Sequence, residues 1–280
     1  MDFNALFIEP MTYQFMQRGL MAALLVGGIS GVIGCFVVVR GLSFFGDALA
    51  HSILPGVALA YIAGADLFFG GLIAGVGSAL GIGWLTNRGR LSEDTAIGVV
   101  FAGMYALGIL VISTVRSYSV DLTHILFGNM LGVSPGDILT MIVCGVIVLG
   151  AIFLFYKELV AQSFDPGLLR VLRMPGEGLR LLLLVLIALT IIASLQTVGI
   201  ALMLAMLTTP AATARILTRR MPSMIMVSAL IGMSAGVIGL YLSWHLNVAS
   251  GAAIVLTATA VFILVFIGDR LRTLFSGAGS

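Results

Sequence analysis

Apolar runs of about 20 residues follow one another along almost the whole chain, and a run of that length is what a helix needs to cross a bilayer. They lie near residues 17–39, 42–63, 67–86, 95–115, 136–156, 180–194, 198–217, 223–243 and 250–268. Only SLQTVG separates the sixth from the seventh, and Pro55-Gly56 interrupts the second, so the reading is eight to nine spans. A soluble fold is excluded by its surface requirement. Of 280 residues 60% are hydrophobic and 9% charged, with a mean hydropathy of +1.17, whereas soluble domains carry roughly a quarter charged residues. A chain of this length would still need a polar exterior. The expected fold is all-α: a polytopic transmembrane helical bundle, one domain over 1–280. The 35 glycines fit it, because small residues let membrane helices approach closely. Small-xxx-small spacings at Gly27/Gly31, Gly71/Gly75, Gly77/Gly81, Gly128/Gly132 and Gly232/Gly236 read as packing seams.

Positive charge sets the sidedness. Arg40, Arg88, Arg90, Lys157, Arg170, Arg173, Arg180, Arg215, Arg219, Arg220, Arg270 and Arg272 fall at alternate ends of the spans, which puts 12 of the 14 Lys+Arg on one side. Arg18 and Arg116 remain for the other. The rich side is cytoplasmic, and nine spans place the N-terminus outside. Segment 1–16 lacks the basic start and cleavage site of a signal peptide. Phe3, Leu6, Phe7 and Met11 give it an apolar side, so it reads as an interfacial segment. Cys35 and Cys144 lie far apart in apolar runs and read as buried, inert thiols. A net charge of +2 implies no nucleic-acid partner.

Inside GLSFFGDALAHSILPGVALAY (41–61), Asp47 and His51 stand four residues apart, on one face of a helix. An ionisable group in hydrocarbon costs several kcal/mol by conservative estimates unless it is paired. Counting from Arg40 at about 1.5 Å per residue puts the two roughly 10 and 16 Å deep, near mid-bilayer. Pro55-Gly56 just beyond would free backbone carbonyls, as broken helices do beside ion sites. A carboxylate and an imidazole facing the same way make half of a divalent-cation site. The plainer alternative is that they pair with each other or cap a kink. Asp121 and His124, with Asn129 beyond, form a second cluster that completes a mixed O/N site if it folds inward, and is an ordinary external loop if it does not. His245 reads as interfacial.

The longest cytoplasmic connection is 157–180. Ser163-Phe164-Asp165-Pro166 reads as a turn or helix start, with Pro166 suited to the first helical position. Gly167, Leu168, Leu169 and Arg170 then open a short amphipathic helix that Pro175-Gly176 closes. It either lies on the membrane or docks a cytoplasmic partner. The chain has no GxxxxGK[ST], HExxH or GxSxG, so P-loop ATP binding and the common hydrolytic constellations are absent.

RGLSFFGDALAHSILPGVALAY (40–61) resembles the signature of the membrane permease subunit of bacterial ABC importers for manganese, zinc and iron. The resemblance continues through EDTAIGVVFAGMYALGILVIS (93–113), DLTHILFGNMLGV (121–133), SFDPGLLRVLRMPG (163–176) and LQTVGIALMLAMLTTPAATARILT (195–218), in the family's order. It implies a non-enzymatic permease of the metal-ion type in the bacterial plasma membrane. It also implies a homodimer of this chain, two cytoplasmic ATPase subunits that bind the ATP, and an extracytoplasmic metal-binding protein. No cofactor of its own is implied, only a transported divalent metal. By the same likeness Asp47 and His51 are ligands, Asp121, His124 and Asn129 extend the set, and 163–170 couples to the ATPase. Ala50 stands where the pattern often has Ser. The DALAHSILPG block is closer to the manganese/iron branch than to zinc permeases. Manganese is therefore the first expectation, with zinc and iron behind it. From the residues alone, a proton-coupled carrier using Asp47 and His51 as a relay and an intramembrane enzyme stay open.

Overall fold

The computed structural model describes residues 9–87, 91–114, 132–172 and 174–277, and among them all regular structure is helical. A 3-10 turn at Pro10–Thr12 precedes α1 (Gln14–Arg40), and α2 (Ser43–Ser52) and α3 (Leu54–Ala63) follow. Next come α4 (Leu67–Asn87), α5 (Glu93–Ser113), α6 (Pro135–Leu154), α7 (Tyr156–Phe164) and α8 (Pro166–Val171). The chain ends with α9 (Gly176–Leu217), α10 (Met221–Leu246) and α11 (Ser250–Gly277). Among the described residues nine segments are long and apolar enough to span a membrane, with α2 and α3 counting as one and α9 as two. Each of the nine apolar runs in the sequence thus has its helix. The separator between the sixth and seventh is no loop, however. SLQTVG stays helical except at Gly199, whose φ of 78° and ψ of 169° break α9. A side chain there would be strained, which is why a single glycine suffices to divide two spans.

The second span breaks two residues before Pro55, at Ile53. Proline has no N–H to return to the carbonyl four residues back, that of His51, and its ring crowds that turn. It is accommodated in the first turn of a new helix instead. Helix starts elsewhere follow their local sequence. Ser92 accepts the Thr95 amide at 3.2 Å and opens α5. Ser134 and Asp137 cap α6 reciprocally, at 2.9 and 3.2 Å.

The chain divides into two compact units. The first takes in Met1–Val38, Asn129–Met141 and Ala201–Ser280. In it α1 crosses α10 on small residues: a methyl on Gly27 would lie 2.6 Å from the Gly232 backbone, and Ser228 Oγ donates to the Gly31 carbonyl at 2.7 Å. Tyr13, at the start of α1, meets Trp244, near the end of α10, with ring centroids 5.3 Å apart. Those two ends are the ones that the charge bias places outside, and paired aromatics suit a membrane interface. The second unit takes in Val39–Gly128 and Ile142–Ile200. There α3 packs on α4 through Gly56 and Gly70, each so close to the other's carbonyl that neither position has room for a Cβ. Gly77 and Gly81, expected to form a seam, lie on the outward side of α4, where a methyl at either position would meet nothing within 4 Å. Both cysteines are buried and unpaired to each other.

Candidate ion site

Asp47 and His51 lie one turn apart on α2, as their spacing predicts. His51 Nδ1 is 3.0 Å from the Asp47 backbone carbonyl and 3.7 Å from Asp47 Oδ1. A carbonyl can only accept, so Nδ1 carries the proton in this hydrogen bond. In the neutral ring the lone pair then lies on Nε2. The bond orients the imidazole in the way that second-shell partners orient metal-binding histidines. Here the orienting group is the ligand candidate's own peptide.

The ring is held from the other side by α5. Phe101 and Tyr105 meet it edge-on, with centroids 5.8 and 5.6 Å away, and stack on one another at 5.8 Å. Phe44 extends the cluster against Phe101 at 6.3 Å. Farther along the same face of α5, Gly108 sits against the helix break: a methyl there would come 2.9 Å from Leu54 Cβ and 3.2 Å from the Pro55 nitrogen. α2 and α5 therefore run side by side and in the same direction. Yet the pair is not enclosed within its own unit. The Asp47 side chain is 41% exposed and that of His51 28%. In a lipid-facing position such exposure of a carboxylate is untenable, so this face must meet water or protein.

Among the described residues no third His, Cys, Asp or Glu joins the pair. Asp121, His124 and Asn129, the expected completion of the shell, lie outside the described residues. His245 sits near the end of α10, in the other unit.

A second polar cluster, whose arginines the sequence marks only as cytoplasmic charge, lies at the other end of the same helices. Glu93, the first residue of α5, stands 3.6 Å from Arg40 and 3.9 Å from Arg180. Arg180 also reaches Glu177 at 3.3 Å and donates to the Gly83 carbonyl at 2.7 Å. Four helix ends assigned to the cytoplasm by charge bias alone thus meet in one place. The missed signal was Glu93 itself, an acid directly after a cap serine on a side otherwise rich in arginine.

In the connecting region α7 ends at Phe164, Asp165 breaks the helix, and Pro166 opens α8, as its fixed φ suggests. Ser163 Oγ bonds back to the Leu159 carbonyl at 2.7 Å, Phe164 is exposed and Leu169 buried. Gly167, Leu168 and Arg170 lie along α8.

The family model described as the ABC 3 transport family matches residues 12–269. The chain belongs to that family. It is similar to the "Manganese transport system membrane protein MntC" of Halalkalibacterium halodurans, 46% identical over 93% of this chain and 89% of the relative. It is also similar to the "Probable iron transport system membrane protein" of Haemophilus influenzae, 38% identical over 95% of this chain and 97% of the relative. Among solved structures, one titled "PsaBC from Streptococcus pneumoniae in complex with Fab" superimposes with a TM-score of 0.82 at 41% identity, over 94% of this chain and 95% of that one. With its apolar helices, the protein is a multi-pass permease of the bacterial plasma membrane.

Proposed function

We propose that this chain forms the ion path of an ATP-driven importer of divalent transition metal, with manganese as the first cargo and iron as the second. Asp47 and His51 would hold the ion in transit. The observation that carries the reading is the hydrogen bond from His51 Nδ1 to the Asp47 carbonyl, 3.0 Å long, which turns the lone pair of the neutral ring onto Nε2, one helical turn from a half-exposed carboxylate. Oxygen and imidazole donors suit first-row divalent ions. Two donors cannot fill the shell of such an ion. Asp121, His124 and Asn129, water, and a second copy of the chain are the sources for the rest. The exposed Asp47 supports the second copy, because a homodimer would cover the face that lipid cannot.

Relatives named for manganese and for iron direct the cargo assignment. Zinc binds such donors more tightly than manganese, so preference for manganese would rest on coordination number and geometry rather than on raw affinity. Membership in an ABC family favours an ATPase partner over a proton-coupled relay. Residues 163–170, at the α7–α8 corner, are the segment assigned to contact that ATPase, and an extracytoplasmic binding protein would deliver the metal. Manganese uptake by cells carrying Asp47→Ala or His51→Ala at normal expression tests the site. Uptake equal to the unaltered protein would sink it. Competition with zinc and iron in the same assay ranks the cargoes.

A further inference from the structure

Among the described residues Arg180 is the one charged side chain that is buried, at 8% exposure. Its Nε, Arg40 Nη1 and Glu93 Oε1 are all buried without a hydrogen-bond partner. The two arginines stand 3.6 and 3.9 Å from opposite oxygens of the Glu93 carboxylate, too far for good hydrogen bonds. Either arginine could form a tight forked pair with that carboxylate. Shared as it is, the carboxylate satisfies neither.

Such a cluster is a poor choice for stability alone. Apolar residues of similar volume serve as well or better in a buried position. What loosely shared charges supply is two alternative arrangements of similar energy, which a packed apolar contact lacks. The cluster's position gives those arrangements a use. On one side is the corner between α8 and α9, tied together by the Met174 amide on the Leu169 carbonyl at 2.9 Å and the Gly176 amide on the Met174 carbonyl at 2.8 Å. Gln162 of α7, buried at 6%, closes on the same corner: a methyl on Gly176 would lie 3.3 Å from its Oε1. Arg180 stands one turn farther along α9. On the other side Glu93 opens α5, whose continuous face carries Ile97, Phe101, Tyr105 and Gly108. That face meets His51 and the α2–α3 break. Arg40 precedes α2 itself.

We propose that Glu93 is a positioning residue of the transport cycle: its carboxylate, shared between Arg40 and Arg180, passes movement of the α8–α9 corner to α2 and α5, and so to Asp47 and His51. The inference rests on the ion-site reading above and adds the link by which an ATPase docked at the corner would act on that site.

The test uses the complete transporter, permease with its ATPase subunits, reconstituted in liposomes. Manganese import, ATP hydrolysis and equilibrium manganese binding are measured on the same preparation. Glu93→Gln keeps the shape and removes the charge. Manganese imported per ATP hydrolysed is expected to fall about tenfold, the size of a typical coupling between sites, while manganese binding stays within about twofold. Glu93→Asp keeps the charge and is expected to recover part of the ratio. An unchanged ratio in Glu93→Gln overturns the proposal, and so does a parallel loss of binding and import, which would make Glu93 a ligand or a purely structural group. If Glu93→Gln does not accumulate, Glu93→Asp against the unaltered protein decides the matter by the same ratio. Asp47→Asn run alongside separates the two readings. Full binding in that variant removes the ion site itself. Lost binding there, with normal coupling in Glu93→Gln, removes only the role of Glu93.

Discussion

The two polar clusters of the second unit share helices and differ in almost everything else. Asp47 and His51 stand open on α2, with a short internal hydrogen bond and half-exposed side chains. Arg40, Glu93 and Arg180 are largely buried, held at long distances, and leave polar atoms unsatisfied. The first arrangement suits a visitor, since an oriented lone pair and an accessible carboxylate are ready to accept a cation. The second suits a joint, because charges that cannot all be satisfied at once have somewhere else to go. Local backbone geometry makes the first cluster. The convergence of four helix ends makes the second.

That contrast can be broken experimentally. The largest effect should come from His51→Ala or Asp47→Ala. If the two are the proposed direct ligands, their loss should cost transport more than the roughly 10–100-fold seen when only a supporting group is removed. Melting of the purified protein should move little, since substitutions at half-exposed positions usually stay within about 0.5 kcal/mol. Glu93→Ala should lower the melt as well as the manganese imported per ATP. Arg40 would lose its carboxylate while Arg180 keeps Glu177 and the Gly83 carbonyl, which predicts a loss of about 2 kcal/mol, below the range for a fully broken buried pair. A thermal melt in detergent checks it, and a stability loss from Asp47→Ala as large as that from Glu93→Ala would erase the distinction.

Smaller changes sharpen the boundary between the two. Gly70→Ala should destabilise by about 2 kcal/mol, because its methyl meets the Gly56 carbonyl on a neighbouring helix. Tyr105→Leu removes one edge-on ring from His51. Such contacts are worth about 1 kcal/mol, so manganese affinity should weaken about fivefold while the melt shifts by no more than that energy. Ser92→Ala deletes the cap beside Glu93 and should cost about 1 kcal/mol. If transport per ATP also falls in that variant, the start of α5 belongs to the joint.

The spans and the Asp47–His51 register were legible because each depends on local properties. Helical spacing alone puts those two side chains on one face, and hydropathy alone marks out the spans. The break at Gly199 was visible only as a short polar interval, because a helix can continue through such residues and only the left-handed φ shows the bend. Glu93 was invisible as a partner. Nothing near it in sequence pairs with it, and Arg40 and Arg180 arrive from helices that are distant along the chain.

By itself, then, the sequence determined an all-helical membrane protein, its apolar spans and the alignment of Asp47 with His51 on one helix face. Apolar runs must leave water, backbone must be satisfied within each helix, and a four-residue spacing must align. Tertiary structure decided which helix ends meet, which aromatic rings pack against the imidazole, and which charges are buried together. Those depend on contacts between residues far apart in the chain, and no local rule of spacing or hydropathy specifies them.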